Sequence, residues 1–137
     1  MRVLVFGQTG QVARELARRC PAGVTARFLG RDQADLMDPA ACAAAIADCD
    51  VVINAAAWTA VDRAEAEPEA AHRVNAGAVA ELAAAADGAP VIHYSTDSVF
   101  AGEGDTPFRE TDPTGPLSVY GASKRAGEQA LAAAGNP

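Results

Sequence analysis

The sequence predicts an α/β domain built on a doubly wound parallel sheet, with helices on both of its faces. Three observations predict it. Short apolar, β-branched runs alternate with longer segments of helical periodicity along the whole chain. The first run ends in a glycine turn that leads straight into a helix. Half of the residues are apolar, and many of these are alanine, which favours helices packed closely on a sheet.

The chain opens with a predicted buried strand over residues 2–6 and a helix over residues 11–19. Between them, Gly7 permits a tight turn, and Gly10 lets a pyrophosphate approach the backbone. The helix N-terminus adds free N–H groups and the positive end of the helix dipole. This arrangement predicts a nucleotide site. The alternative is an ordinary turn between a strand and a helix, in which glycine only relieves strain.

The end of the second predicted strand, residues 24–29, bears on the choice between nicotinamide cofactors. Gly30, Arg31 and Asp32 follow this strand directly. In such sheets an acidic group here bonds the ribose 2′-hydroxyl of NADH, whereas an arginine accepts the 2′-phosphate of NADPH. Both types are present, so the choice stays open, although Arg31 comes first and favours NADPH. Arg31 is equally well explained as a solvated loop charge.

The middle of the chain contributes a strand that ends in small residues. A very short edge strand is expected over residues 34–36, and a helix begins at Pro39 with Asp38 as its N-cap. The next buried strand, residues 50–57, closes on Ala57, which leaves room for a flat group such as a nicotinamide ribose. The chain then continues into Trp58 and Thr59, where Trp58 is alternatively a packing residue that caps the sheet.

The second half is predicted to hold two helical regions and one more strand. Residues 61–86 are mostly helical with a break near Pro68, and residues 90–94 form a strand followed by Ser95-Thr96-Asp97. His72 is expected at the surface, and His93 is expected to be packed or hydrogen-bonded in the sheet. Residues 100–116 form a substrate-facing loop, and a helix over residues 118–134 is stopped by residues 135–137.

Right-handed crossovers give these strands the order 3-2-1-4-5, where strand 3 is the doubtful segment at residues 34–36. Ligands bind at the carboxyl ends of such strands. We therefore expect Gly7, Arg31, Ala57 and Thr96 to line one crevice.

Tyr120 and Lys124 lie four residues apart in the last predicted helix, which places both side chains on one face at the rim of that crevice. A free phenol has a pKa near ~10. A neighbouring ammonium favours phenolate and lowers that pKa, so the pair can exchange a proton with a carbonyl or an alcohol. Many exposed helices contain the same spacing, so taken alone it favours the interpretation that these are two surface residues.

Composition excludes several classes of protein. The net charge of −7 argues against nucleic-acid binding, and no apolar run approaches the ~20 residues of a membrane span. The apolar N-terminal run is too short for a signal peptide. Three cysteines without metal-ligand spacing indicate reduced thiols in a cytoplasmic protein, and a bridge between Cys42 and Cys49 is the weaker alternative.

Four motifs together resemble the extended short-chain dehydrogenase/reductases: Gly7-x-x-Gly10, Asn54-Ala55-Ala56-Ala57, Ser95-Thr96-Asp97 and Tyr120-x-x-x-Lys124. More narrowly, GQTGQVA, INAAAWTAVDRAEAEPE, HYSTDSVFAG and ETDPTGPLSVYGASKRAGE are similar to the dTDP-4-dehydrorhamnose reductase family. The resemblance covers almost the whole chain. It implies one NAD(P)-binding Rossmann-like domain over residues 1–137. It also implies the NAD(P)H-dependent reduction of the C4 keto group of dTDP-4-dehydro-L-rhamnose to dTDP-L-rhamnose.

The resemblance also implies residue roles. Tyr120 would give a proton to the C4 oxygen, Lys124 would lower the pKa of Tyr120 and hold the nicotinamide ribose, and Thr96 would hydrogen-bond the same oxygen. Asp97 would lie against the sugar. The other implied cofactor contacts are Gly10, Gln11 and Val12 at the pyrophosphate, Asp35 and Leu36 near the adenine, and Ala57, Trp58, Thr59 and Tyr94 at the nicotinamide half.

The chain departs from this family in three ways. Ser98 stands where the family usually has an aromatic residue, Ala13 replaces the commoner glycine, and the sequence lacks the C-terminal region that holds the nucleotide-sugar. We therefore expect most of the cofactor half but little or no turnover from these 137 residues alone. A homodimer and a need for magnesium are left open.

Two other functions compete. One is a nucleotide-sugar epimerase or 4,6-dehydratase of the same superfamily. The dehydratase is disfavoured because Asp97 is followed by Ser98 and not by a glutamate. The other is a non-catalytic NAD(P)-binding regulatory subunit.

Overall fold

A computed structural model describes residues 1–135 of the chain; Asn136 and Pro137, part of the predicted helix stop, lie outside the described residues. Four parallel strands form one sheet in the spatial order β2-β1-β3-β4. The strands are β1 (Arg2–Phe6), β2 (Thr25–Leu29), β3 (Val51–Asn54) and β4 (Val91–His93). The four well-supported strands therefore take the predicted order, and the Rossmann-like fold class is confirmed.

Helices connect the strands, as parallel pairing requires. They are α1 (Gln11–Arg18), α2 (Pro39–Ile46), α3 (Val61–Ala66), α4 (Pro68–His72), α5 (Ala78–Ala85) and α6 (Val119–Ala133). A π-helical turn over Arg73–Gly77 joins α4 to α5, and a 3₁₀ turn covers Asp97–Val99 after β4. The predicted break near Pro68 and the predicted surface position of His72 are confirmed.

The core lies on both faces of the sheet, as the apolar first strand predicts. Leu4 and Phe6 point to one face, where they pack with Val52, Leu82 and residues of α2. The alternate residues of β1 point to the other face, towards Ala13 of α1. Since successive side chains of a strand alternate between faces, the uninterrupted apolar run VLVF over residues 3–6 is buried on both sides.

The predicted edge strand at residues 34–36 is wrong. The backbone there is used in turns: the N–H groups of Gln33 and Ala34 both donate to the carbonyl of Gly30, and the N–H of Asp38 donates to the carbonyl of Asp35. A carboxylate oxygen of Asp35 accepts from the N–H of Met37. Ala34 and Leu36 are nevertheless buried, which explains the apolar signal that suggested a strand.

Other local predictions are confirmed. Asp38 caps α2 by accepting from the N–H of Ala41 at 3.0 Å. Residues 100–117 contain neither helix nor strand. Cys20, Cys42 and Cys49 are all free thiols, so the alternative bridge between Cys42 and Cys49 is absent. No helix within residues 1–135 has the length and the apolar character that spanning a bilayer demands.

Candidate functional site

A groove of about 350 Å³ opens at the carboxyl ends of β1, β2 and β3. Its walls come from the turn after each of these strands, which is where a doubly wound sheet binds its ligands. Eight of the residues predicted to contact a cofactor line it: Gly7, Gly10, Gly30, Arg31, Asp35, Leu36, Ala57 and Thr59.

Gly7 forms the floor of this groove, and its position in the fold requires a glycine for two reasons. Its φ of +100° is a left-handed conformation that side chains disfavour. A Cβ at this position would lie 2.8 Å from the carbonyl carbon of Ala55 and 2.8 Å from the nitrogen of Ala56. The N–H of Gly7 donates to the carbonyl of Leu29 at 3.0 Å, so this one turn ties β1 to the ends of β2 and β3.

The start of α1 gives the groove an anion-binding end. Gly10 is the N-cap, and its N–H donates to the carbonyl of Gly7 at 2.9 Å. The N–H groups of a first helical turn, here those of Gln11 and Val12, have no acceptor inside the helix. With glycine in the turn and no side chain over it, the backbone can approach a pyrophosphate, so these residues fit a dinucleotide.

The far end of the groove carries charge of both signs. Arg31 has an 84% exposed side chain, and its Nε lies 3.7 Å from a carboxylate oxygen of Asp35. Gly30 is packed against the side chain of Asp32, whose carboxylate oxygen would lie 2.7 Å from an added Cβ. The mixture of acidic and basic groups seen in the sequence is therefore a real feature of this end, and the exposed guanidinium of Arg31 could also contact a ligand phosphate.

A buried amide joins the groove to α6. Asn75, 1% exposed, accepts from the N–H of Trp58 at 2.8 Å, and its Nδ2 donates to the carbonyl of Trp58 at 3.1 Å. The same Nδ2 donates to the Oγ of Ser123 at 2.9 Å, and that hydroxyl donates to the carbonyl of Tyr120 at 2.7 Å. Sequence reasoning missed this network; an amide inside an alanine-rich helix was the available signal.

Lys124 is buried, at 3% exposed, beneath the first turns of α6. Its Nζ donates to the carbonyl of Tyr94 at 2.5 Å and lies 3.1 Å from Nε2 of His93. Burial lowers the pKa of Lys124 to about 8, and the nearby carboxylate of Glu128 opposes this decrease. The lysine is thus fixed to the end of β4, one helical turn after Tyr120, which is half-buried.

His93 is more than the packed sheet residue that the sequence suggested. Its Nδ1 lies 3.2 Å from Nδ2 of Asn54, its partner on the neighbouring strand, and its Nε2 faces Lys124. Burial, and then the charge of Lys124, lower the pKa of His93 to about 4. The expected hydrogen bonding is confirmed, but the contact with Lys124 was not foreseen, because 31 residues separate the two positions.

Thr96 and Asp97 face a different cleft, which is lined also by Arg109 and Arg125. Thr96 begins the 3₁₀ turn, where its Oγ1 accepts from the N–H of Ser98 at 3.2 Å. Thr96 lines this cleft and does not line the groove of Gly7. The role of Thr96 at the reacting oxygen stays a prediction.

The remaining predicted cofactor residues are dispersed. Gln11, Val12 and Tyr94 line a broad apolar depression on the sheet face that α1 partly covers. Trp58 lies beside the groove, where the guanidinium of Arg63 stacks 5.1 Å from the centre of its ring. Within residues 1–135, no group of three or more His, Cys, Asp or Glu side chains is arranged to hold a metal ion.

Known proteins share this architecture. The solved dTDP-4-dehydrorhamnose reductase of Clostridium acetobutylicum superposes with a TM-score of 0.95 at 36% identity, over 100% of this chain and 50% of that chain. The reductase of Bacillus anthracis, solved in complex with NADP, has a TM-score of 0.92 at 29% identity, over 96% of this chain and 49% of that chain.

Sequence comparison agrees. The dTDP-4-dehydrorhamnose reductase of Escherichia coli K12 is 49% identical over 139 residues, covering 96% of this chain and 46% of the relative. That of Burkholderia thailandensis is 50% identical, covering 98% of this chain and 47% of the relative. The chain thus spans about half the length of the curated relatives it matches. The model of the family described as the RmlD substrate binding domain matches residues 1–137, and the chain belongs to that family.

Proposed function

We propose that this chain is the cofactor-binding part of an NADPH-dependent dTDP-4-dehydrorhamnose reductase. Such an enzyme reduces the C4 keto group of dTDP-4-dehydro-L-rhamnose and yields dTDP-L-rhamnose. One observation carries the proposal. Lys124, one turn after Tyr120, is anchored on the carbonyl of Tyr94 just after β4, and the glycine groove opens at the carboxyl ends of the neighbouring parallel strands, which supports a proton-transfer role for the pair beside that groove.

The dinucleotide would lie across that edge. Gly7, Gly10, Gln11 and Val12 would hold the pyrophosphate, and Arg31 would meet the 2′-phosphate that distinguishes NADPH. Asp35 and Leu36 would lie near the adenine. Gly30, Ala57, Trp58, Thr59 and Tyr94 would line the remaining length towards the nicotinamide. When bound, the reduced nicotinamide supplies the hydride.

The chain's own residues would supply the proton and orient the ketone. The hydroxyl of Tyr120 would protonate the C4 oxygen as it gains negative charge, and the hydroxyl of Thr96 would donate a hydrogen bond to the same oxygen. Asp97 would bond the sugar. The protonated amine of Lys124 would stabilise the phenolate that Tyr120 becomes. We further propose a cytoplasmic enzyme, for which three free thiols are suited, that takes a dTDP-sugar as its partner.

Cofactor binding is the first test, and the protein offers one tryptophan as its reporter. Titration with NADPH should change the fluorescence of Trp58 in a saturable way, because the residue lies beside the groove. NADH should bind more weakly, and the Arg31→Ala variant should lose most of that difference while its affinity for NADH stays the same. Absence of a saturable change with either nucleotide would contradict the proposed site.

Turnover is the second test, made on an enzyme that contains this chain and the further half found in its relatives. Oxidation of NADPH should require the keto-sugar, and Tyr120→Phe should lower the rate of reduction by about 10²-fold to 10⁴-fold with little effect on NADPH binding. An equal loss of both would show that the role of Tyr120 is misassigned. Binding without any keto-sugar reduction by the unmodified enzyme would favour a regulatory subunit.

A further inference from the structure

The N-terminus of α6 receives two side-chain caps, one from its own chain segment and one from another helix. The hydroxyl of Ser118 accepts from the N–H of Gly121 at 3.0 Å. A carboxylate oxygen of Glu65 accepts from the N–H of Val119 at 2.8 Å. The N–H groups of a first helical turn have no acceptor inside the helix, so Glu65 supplies an acceptor that α6 lacks.

The carboxylate of Glu65 is carried by a helix with a fixed place beside α6. Glu65 belongs to α3, which begins at Val61, soon after Thr59 of the groove lining. Ala64, the preceding residue, is completely buried, and α3 packs against α6. The bond from Glu65 therefore links the wall of the groove to the start of the helix that bears Tyr120.

A surface ion pair does not explain the placement of this carboxylate. The neighbouring acid Glu67 pairs with Arg63 at 2.6 Å, whereas Glu65 forms no ion pair within residues 1–135. Its carboxylate bonds the backbone of α6 instead. A negative charge at a helix N-terminus also interacts favourably with the helix dipole, so charge and hydrogen bond both favour this arrangement.

Tyr120 lies between two residues whose backbones are both held by other elements. Val119 precedes it and bonds Glu65. Gly121 follows it and leaves no room for a Cβ, because the carbonyl of Ser98 lies directly beside it. The direction of a helical side chain follows from the backbone that carries it. We propose that Glu65 is a positioning residue, which fixes the first turn of α6 and thereby the direction of the Tyr120 side chain.

For the reaction, the inference rests on the proposed function, in which Tyr120 gives the proton. A general acid must lie within hydrogen-bond reach of the oxygen that it protonates. Without the bond to Glu65, the first turn of α6 can shift or fray, and the phenol then spends less time in place. The groove for the dinucleotide lies elsewhere on the sheet edge. The loss should therefore appear in kcat and leave the KM for NADPH nearly unchanged.

Substitutions at Glu65 test this in the enzyme that contains the chain and the further half found in its relatives. Glu65→Ala should lower kcat for keto-sugar reduction by about 10-fold to 100-fold, with a change below about 2-fold in the KM for NADPH. Glu65→Gln keeps an acceptor oxygen at the same reach and should stay within about 3-fold of the unmodified kcat. Glu69→Ala is the matched control, because Glu69 is an exposed acid of the adjacent helix α4, and it should change neither constant.

Three outcomes of these assays would overturn the proposal. They are an unchanged kcat in Glu65→Ala, a loss confined to KM, and an equal loss of kcat in Glu65→Gln and Glu65→Ala. Should Glu65→Ala not fold, Glu65→Asp takes its place, because it keeps the charge but is one methylene too short to reach the N–H of Val119. Glu65→Asp should then lower kcat while Glu65→Gln does not.

NMR of the 137-residue chain separates this inference from the proposed function, because it needs no substrate. The chain has two tyrosines, so Tyr94 is an internal control for Tyr120. In Glu65→Ala the amide of Val119 should exchange with solvent at least about 10-fold faster, and the side chain of Tyr120 should pass from one rotamer to a mixture, while Tyr94 stays the same. The same single rotamer of Tyr120 in both proteins would overturn the inference. An unmodified enzyme that reduces no keto-sugar would refute the proposed function alone.

Discussion

The imidazole of His93 makes the stability of the fold depend on pH in mildly acidic solution. Its pKa is lowered from 6.5 to about 4, mainly by burial. Between these values the unfolded chain binds a proton that the folded chain does not. The free energy of unfolding should therefore decrease as the pH falls from about 6.5 to about 4, by at most about 3 kcal/mol from this group.

Urea denaturation at pH 7.0, 5.5 and 4.5 measures this decrease. The His93→Asn variant should lose less stability across the window than the unmodified chain, because its amide does not titrate. His72→Asn is the matched control and should follow the unmodified chain, since His72 is exposed. An identical pH dependence in all three proteins would show that protonation of His93 costs nothing in the folded state.

Substitution of Gly7 tests the floor of the groove. In Gly7→Ala the new Cβ would be strained by its left-handed backbone and would lie 2.8 Å from backbone atoms of Ala55 and Ala56. Gly88→Ala is the matched control, because Gly88 has a φ of +89° but nothing within 4 Å of the added carbon. We expect a loss of about 1–2 kcal/mol for the control and a further 1–3 kcal/mol for Gly7→Ala.

NADPH titration completes that comparison. Gly7→Ala should bind NADPH much more weakly, whereas Gly88→Ala should retain its affinity because Gly88 lies outside the groove lining. If both variants lose the same stability and keep the same affinity, crowding at the floor of the groove is not the reason for glycine at position 7.

Individual residues also show which features of the site can be predicted from the sequence and which cannot. The positions of Gly7 and Gly10 could be predicted because the requirement for glycine is local to one turn. The partners of Lys124 could not, because they depend on how α6 settles against β4. The local hydrogen bond in which Thr96 Oγ1 accepts from the N–H of Ser98 could not be predicted either, because spacing along the chain does not reveal it.

At the level of elements, α6 packs directly against the π-helical turn because Gly127 of α6 has no side chain. A Cβ on Gly127 would lie 2.2 Å from the carbonyl oxygen of Asn75, so the two backbones are in direct contact there. Gly127→Ala should push these helices apart and cost about 2–4 kcal/mol, although alanine is the better helix former.

Thermal or urea unfolding checks this prediction against a second helical glycine. In Gly77→Ala the added carbon meets only the flexible side chain of Arg73, nearest at 3.1 Å. We expect this control to change stability by less than about 1 kcal/mol, because a gain in helix propensity offsets a small rearrangement. A similar effect of both substitutions would argue against a special close approach at Gly127.

Elements were predicted well where periodicity is strong and poorly where tertiary contacts decide. All four strands and the capped helix α2 follow from apolar runs and from Asp38-Pro39. The π-helical turn at Arg73–Gly77 could not be foreseen from local sequence. It places Asn75 against α6, and such a contact depends on tertiary packing. The wrongly predicted strand at residues 34–36 shows that alternating buried side chains also occur in turns.

For the whole molecule, the proposed site predicts linkage between cofactor binding and stability. A ligand that binds only the folded chain at 100 times its dissociation constant stabilises it by about 2.7 kcal/mol. NADPH should therefore raise the midpoint of thermal unfolding, and Tyr120→Phe should show nearly the same increase, because its phenol serves the reaction more than binding. No increase for either protein would mean that the folded chain holds no dinucleotide at the concentrations used.

The residues that line the groove also precede the last helix in the order of synthesis. This lining runs from Phe6 to Val74, whereas the acid–base helix begins only at Val119. The ribosome therefore synthesises the whole lining of this groove before it adds Tyr120 and Lys124. The groove proposed for the dinucleotide and the pair proposed for proton transfer thus come from successive parts of the polypeptide.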